Sequence, residues 1–192
     1  MMGKKVIYRI ATIADYDREA LYLRKMHAKG WKLRKVSYSI LLFAVKYTFA
    51  KCQPEQVSYQ LDFCPMKKSE RASYLQLFKD CGWEHITDFN SFSYFRKAHS
   101  EIESDAEFEI YNDAAGKLAM VKRILTMRML PILLLFSALL PVFSKSLGGG
   151  SRFSWEMLLI VIIDSILLIV LAIQISYIFG RLFQKWKELS DI

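Results

Sequence analysis

Chemistry-bearing motifs are scarce in this chain: it has three cysteines and three histidines in 192 residues. Cys52, Cys64 and Cys81 are odd in number and lack CxxC spacing, which argues against a disulfide framework or a closed zinc site and for reduced thiols in a reducing compartment. His27, His85 and His99 are scattered along the chain, so no metal is expected. A P-loop, a GxGxxG and an HExxH are all missing, and no cofactor is expected. The opening stretch Met1–Arg9 has lysines but no apolar run after them, which argues against a cleavable signal. Acid is in short supply too. The chain has 27 basic and 19 acidic residues, and 22 against 15 up to Arg128, so most of the +8 net charge precedes residue 129. So basic a surface favours anionic partners, with anionic lipid preferred to nucleic acid.

What is abundant is hydrocarbon near the end. Two apolar stretches, Met129–Leu147 and Met157–Phe179, flank a short loop that contains Gly148, Gly149 and Gly150. A bilayer core about 30 Å thick needs roughly 20 apolar residues at 1.5 Å each, and a soluble helix has no reason to be apolar on every face for so long. A transmembrane hairpin is expected, with spans 129–147 and 157–179. Lys117, Lys122, Arg123 and Arg128 precede the first span, and Arg181, Lys185 and Lys187 follow the second, while the loop offers only Lys145 and Arg152. Both termini should therefore face the cytoplasm, with these seven cations on anionic headgroups of the cell membrane.

Roughly 100 residues remain for one small core. Sliding the chain against itself by 52 residues pairs Tyr22-Leu23 with Tyr74-Leu75 and Gly30-Trp31 with Gly82-Trp83. Each copy has a helix that ends in glycine. In the first, Asp15 or Asp17 can cap a helix with Ala20, Leu23 and Met26 at spacings of three. The second runs from about Ser69 to Gly82, with Leu75 and Phe78 on one face. Gly30 and Gly82 would each supply the left-handed turn that a side chain resists. Strand-like segments surround the helices: Lys4–Ile10, Trp31–Ser37, Val45–Lys51, Val57–Phe63, Trp83–Phe89 and Phe92–Lys97. Val57, Tyr59, Leu61 and Phe63 alternate, which places them on one face. The expected fold is α+β: a duplicated βαββ antiparallel sheet with two helices on one face, followed by the two-helix hairpin. Trp31 and Trp83 should fill core space under the helices.

The stretch Asp15 to Trp31, with Met26-His27-Ala28-Lys29-Gly30-Trp31, then Tyr47-Thr48-Phe49, Tyr59-Gln60-Leu61-Asp62-Phe63, Tyr74-Leu75-Gln76-Leu77-Phe78, Cys81-Gly82-Trp83 and Tyr94-Phe95-Arg96-Lys97, resembles the bacterial family called domain of unknown function 2812. The resemblance covers roughly residues 4–98. It implies a membrane protein with this domain first and a hydrophobic tail after, encoded beside a PadR-type transcriptional regulator, and it supplies no activity. The apolar run Ile40–Val45 departs from a tight polar turn, and either lengthens a hairpin or presses on the bilayer.

The divisions that follow are a cytoplasmic domain at 1–99, an acidic linker at 100–116, a basic juxtamembrane segment at 117–128, the two spans, and a cytoplasmic tail at 180–192. Glu101, Glu103, Asp105, Glu107, Glu109 and Asp113 fall in a stretch without Lys or Arg. Self-repulsion would keep it solvated and extended, or it docks on the basic first half of the chain. Cys81 and His85 are the nearest thiol and base, yet a nucleophile needs an electropositive pocket and a third orienting group, so no catalytic residue is assigned. In the second span, Asp164 and Gln174 form a loose polar edge that must be neutral, paired or turned toward protein or water. Ser165, Ala172, Ser176 and Gly180 suit close helix approach, to the first span or to a second copy in a homo-oligomer. Pro131 and Pro141 in the first span are tolerated kinks. The expected function is a membrane-anchored cytoplasmic interaction domain, a regulatory or sensory accessory that binds a protein partner and does not catalyse. The alternatives are a small transport or immunity component using Asp164 and a membrane-bound thiol enzyme using Cys81.

Overall fold

The structure is a computed structural model, and it describes residues 3–39, 44–98, 114–134, 137 and 155–190. The chain divides into two compact units, Met1–Met120 and Val121–Ile192.

The first unit is α+β. β1 (Lys4–Arg9) leads into α1 (Tyr16–Ala28), β2 (Trp31–Tyr38) and β3 (Val45–Lys51), and the same order returns in β4 (Val57–Phe63), α2 (Lys68–Asp80), β5 (Glu84–Phe89) and β6 (Phe92–Ala98). These strands form two three-stranded antiparallel sheets, β1-β3-β2 and β4-β6-β5, where a single sheet was expected. In both, the last strand of the βαββ run lies in the middle. A hairpin sets it beside the strand before it, and the helical crossover brings the first strand to its other side.

The helices do not share one face. Val57, Tyr59, Leu61 and Phe63 stand together on one side of the second sheet, in register with Phe92, Tyr94 and Arg96. α1 covers that side: His27 meets Tyr59, and the rings of Tyr16 and Phe92 lie 6.2 Å apart. α2 covers the other side, where Phe78 stacks on Phe95 at 4.3 Å and Tyr74 approaches the same ring at 6.0 Å. α1 packs on the first sheet as well, with Tyr22 edge-on to Tyr47 and Phe49 at 6.2 and 6.4 Å. It is wedged between the sheets. The reason is in the second sheet, whose β4 is buried at every position but Gln60, so that two elements are needed to cover it.

Both helices of this unit end in a glycine turn. Gly30 and Gly82 take φ of +79° and +77°, a region that favours glycine. The Gly30 N–H donates to the His27 carbonyl at 2.8 Å, and the Cys52 N–H donates to the Gly30 carbonyl at 2.9 Å, which ties the turn to the end of β3. At the second turn, the buried Lys97 ammonium donates to the Cys81 carbonyl at 3.1 Å, a cation on the C-terminus of α2. Trp83 is buried, but Trp31 is only half-buried, with the Lys5 ammonium 5.3 Å over its ring, so the two tryptophans are not equivalent core fillers. At the start of α1, Asp15 holds the capping position without a side-chain capping bond; its carboxylate instead accepts from the Thr12 hydroxyl.

The helix α3 (Ala114–Ile124) leads into the second unit and passes into a wide π-helical turn over Leu125–Met129. Two causes converge there. The Thr126 hydroxyl donates to the Lys122 carbonyl at 2.9 Å, and Pro131 brings no N–H and a ring that crowds the carbonyl four residues back, which is Met127. The π turn packs against α4 (Trp155–Ser190), and Met129 and Leu182 are buried. α4 has 36 residues, about 54 Å at 1.5 Å each, and contains the expected second span whole. Among the described residues it is the one helix long and apolar enough to cross a membrane, over Leu168–Ser190. The two-span hairpin does not follow from this: of the expected first span, 135–136 and 138–147 lie outside the described residues. So do 100–113 of the expected acidic linker, residues 40–43 and His99, while 114–116 belong to α3.

Candidate functional site

The first unit holds a polar cleft of about 450 Å³ where the end of α1 meets the second sheet. The Gly30 turn forms one side, bringing His27 and Lys32 to face Arg96 of β6 and Glu84 of β5, with Cys52 and Glu55 from the β3–β4 connection. His27 is buried, and its Nδ1 lies 3.0 Å from the Tyr59 hydroxyl. That hydroxyl accepts the Leu33 N–H at 3.3 Å and a bond from the Arg96 guanidinium. With its lone pairs so engaged, Tyr59 donates its own proton to His27 Nδ1, which leaves the imidazole proton on Nε2. Burial, then the charges of Arg96 and Lys32, push His27 down to about 4, so the ring is neutral at physiological pH. Arg96 is in turn paired with Glu84, its Nε 3.1 Å from Oε2. The cleft thus offers one uncharged N–H donor, two cations, the Glu84 carboxylate already committed to one of them, and the carboxylate of Glu55.

A second constellation ties the sheets to α1. Glu19 is a half-buried carboxylate whose Oε1 accepts from the Tyr47 hydroxyl of the first sheet and the Tyr94 hydroxyl of the second, both at 2.7 Å. Burial raises its pKa, and the two tyrosine bonds and the charge of Arg9 only partly oppose that. The Arg9 guanidinium lies over the Tyr22 ring at 3.7 Å, and Arg9, Arg18, Asp15 and Glu19 line a smaller cavity of about 180 Å³.

The third lies on the outer side of the second sheet. Arg71 of α2 bonds Asp88 and donates to the Ser93 hydroxyl at 3.0 Å. Burial would raise Asp88, but the His85 bond and charge and the Arg71 cation hold its carboxyl below the usual range. Both Arg71 and Asp88 approach His85 Nε2, at 3.2 and 3.0 Å. A proton on that nitrogen serves the carboxylate, and the Arg71 N–H then has no lone pair to meet there. His85 is thus engaged with Asp88 and Arg71, while Cys81, the thiol nearest to it in sequence, is exposed.

Of the seven expected membrane-surface cations, Lys122 and Lys187 are exposed, and Lys117, Arg123, Arg128, Arg181 and Lys185 are half-buried. Gln174 is exposed on α4, the Asp164 side chain lies outside the described residues, and a Cβ placed on Gly180 would meet nothing within 4 Å. Among the described residues, no three His, Cys, Asp or Glu side chains gather to hold a metal. Sequence reasoning missed Glu19 and passed over His27. The signal was present: both lie four residues from Leu23, on the stripe that α1 buries.

Residues 15–135 match the family model described as Protein of unknown function (DUF2812). No curated protein and no solved structure matches the chain.

Proposed function

The chain belongs to the DUF2812 family, and from that premise we propose that it is a membrane-tethered binding module in which α4 anchors and the α+β unit engages a partner. The observation that carries this is the surface of α4. Leu159, Ile162, Ile163, Ile166, Ile169 and Ile173 are all exposed, Ile163 and Ile173 to 62 % and 63 %. Leaving such side chains in water costs about 1.5–3 kcal/mol each, whereas hydrocarbon accepts them. Phe179, Phe183 and Trp186 stack down the same helix beside Arg181, Lys185 and Lys187, the aromatic and basic composition of a membrane boundary. Residues 129–147 cross back as the first span of a hairpin, and cations where each span meets the headgroups hold the α+β unit and both termini in the cytoplasm. The two βαββ runs, alike in element order and strand order, are a duplication. The partner docks on this unit, and its occupancy is the regulatory or sensory output.

A reporter active only outside the cytoplasm tests the anchor. Inserted at Gly149 it should be active, and fused after Ile192 it should be silent; the reverse pattern removes the cytoplasmic reading. Crosslinking in native membranes followed by pull-down tests the binding, and recovery of no protein partner counts against it.

A second reading, a small transport component, rests on Asp164, which sits in the run Ile162-Ile163-Asp164-Ser165-Ile166 of α4. A carboxylate at that depth costs about 2.5–3.5 kcal/mol even on the lenient insertion scale. Asp164→Asn should leave partner binding intact in a tether and abolish activity in a proton-linked transporter.

A further inference from the structure

We infer that the outer face of the first sheet is a docking surface for an anionic bilayer, laying the α+β unit flat on the headgroups. The strands themselves point there. β1, β2 and β3 carry eight Lys and Arg and no Asp or Glu at all; Lys4, Lys35 and Lys46 fall on the outer side, while Lys5 lies over Trp31 and Arg9 over Tyr22 on the α1 side. The second sheet, by contrast, carries Asp62, Glu84 and Asp88.

Register separates the two faces of the first sheet. Tyr47 and Phe49 point inward to α1 with Leu33 and Val36. Lys4, Val6 and Tyr8 therefore point outward, in rows with Ala50, Thr48 and Lys46 of β3, and the last two of these in turn with Lys35 and Ser37 of β2. The outward apolar side chains are uncovered: Val6 is 39 % exposed and Tyr8 53 %. Even the central strand leaves Lys46, Thr48 and Ala50 only half-buried on this side.

A bilayer suits this composition on both counts. Lysines meet phosphate oxygens, and Val6 and Tyr8 between them reach the boundary of headgroup and acyl chain. A polyanion alone would leave the apolar row without a partner.

The inference rests on the tether reading, and the experiment separates the two. The full chain is placed in nanodiscs of phosphatidylcholine, alone or mixed with phosphatidylglycerol, and lysine acetylation is followed by mass spectrometry. Anionic lipid should slow labelling of Lys4, Lys35 and Lys46 by about fivefold, the effect of one basic side chain held near a charged surface. Lys25 and Lys79, exposed on α1 and α2, should label equally in both discs. Inorganic phosphate in solution should give no protection, and Tyr8→Ser should weaken the protection without altering charge. Retention in the disc with identical labelling in both lipids overturns the docking and leaves the tether standing. Failure to enter the disc overturns both. Protection in both lipids that disappears when Glu101, Glu103, Asp105, Glu107 and Glu109 are changed to Gln gives the face to the acidic segment and overturns the inference as well.

Discussion

The two sheets have the same strand order and opposite fates. The second is buried on both sides, between α1 and α2, while the first has α1 on one side and an open basic surface on the other. One local plan therefore yields a core layer and a surface layer. What differs is the company each keeps: α1 serves both sheets, and α2 serves only its own.

Glu19 holds that shared position, and the largest effect is expected there. Glu19→Leu leaves the Tyr47 and Tyr94 hydroxyls buried without their acceptor and should cost about 3 kcal/mol or more in urea unfolding followed by tryptophan fluorescence. Glu19→Gln keeps an acceptor and buries no charge, so it should be close to neutral. If Leu is tolerated as well as Gln, the sheets are not joined through this residue.

Acid should act next. Folded His27 titrates at about 4 against an ordinary value of 6.5. Between these values the unfolded chain binds the extra proton, so stability is full above about 6.5 and falls as pH drops toward 4, by up to about 3 kcal/mol. Glu19 works in the opposite sense. Its folded pKa is raised, so its contribution is largest at low pH and is lost as pH rises through the folded value. Unfolding at pH 7 and pH 4.5 should show a loss in acid that His27→Gln, which keeps an acceptor for Tyr59, largely removes.

The glycine turns sharpen the comparison between the halves. A Cβ on Gly30 would lie 3.0 Å from the Cys52 carbonyl oxygen, which is backbone, whereas on Gly82 it would meet the end of the Lys97 side chain at 3.2 Å. Both positions suffer the left-handed penalty of about 1–2 kcal/mol. Gly30→Ala should therefore cost clearly more than Gly82→Ala in thermal unfolding, and equal losses would mean that the first turn yields as easily as the second.

The smallest effect belongs to the outer side of the second sheet. Asp88 is half-exposed, so Asp88→Asn should change stability by no more than about 1 kcal/mol even though it removes the Arg71 partner. A larger loss would make that face a rigid structural element.

Much of this was legible locally. Glycine after an apolar stripe marks a helix end, and both Gly30 and Gly82 take positive φ. Alternation in Val57 to Phe63 fixes a strand and its faces, and the observed strands differ from the sequence boundaries by a residue at most. The site was less legible, because Glu19 and His27 gain their character from Tyr47, Tyr59 and Tyr94, at least 28 positions away. No spacing rule reports a partner that far along the chain.

By itself, then, the sequence determined which segments are helix and strand, the two βαββ runs, the acid-free strands of the first run and the long apolar helix near the end. These depend on φ preferences, side-chain periodicity and composition, which act within a few residues. Only the tertiary structure decided that there are two sheets instead of one, that α1 lies between them with α2 on the far side, and that Trp31 is half-buried where Trp83 is buried. An apolar stripe specifies that it will be covered, not by what, and the choice falls to whichever arrangement covers the β4 and β6 faces while giving Glu19, Asp62 and Lys97 a partner.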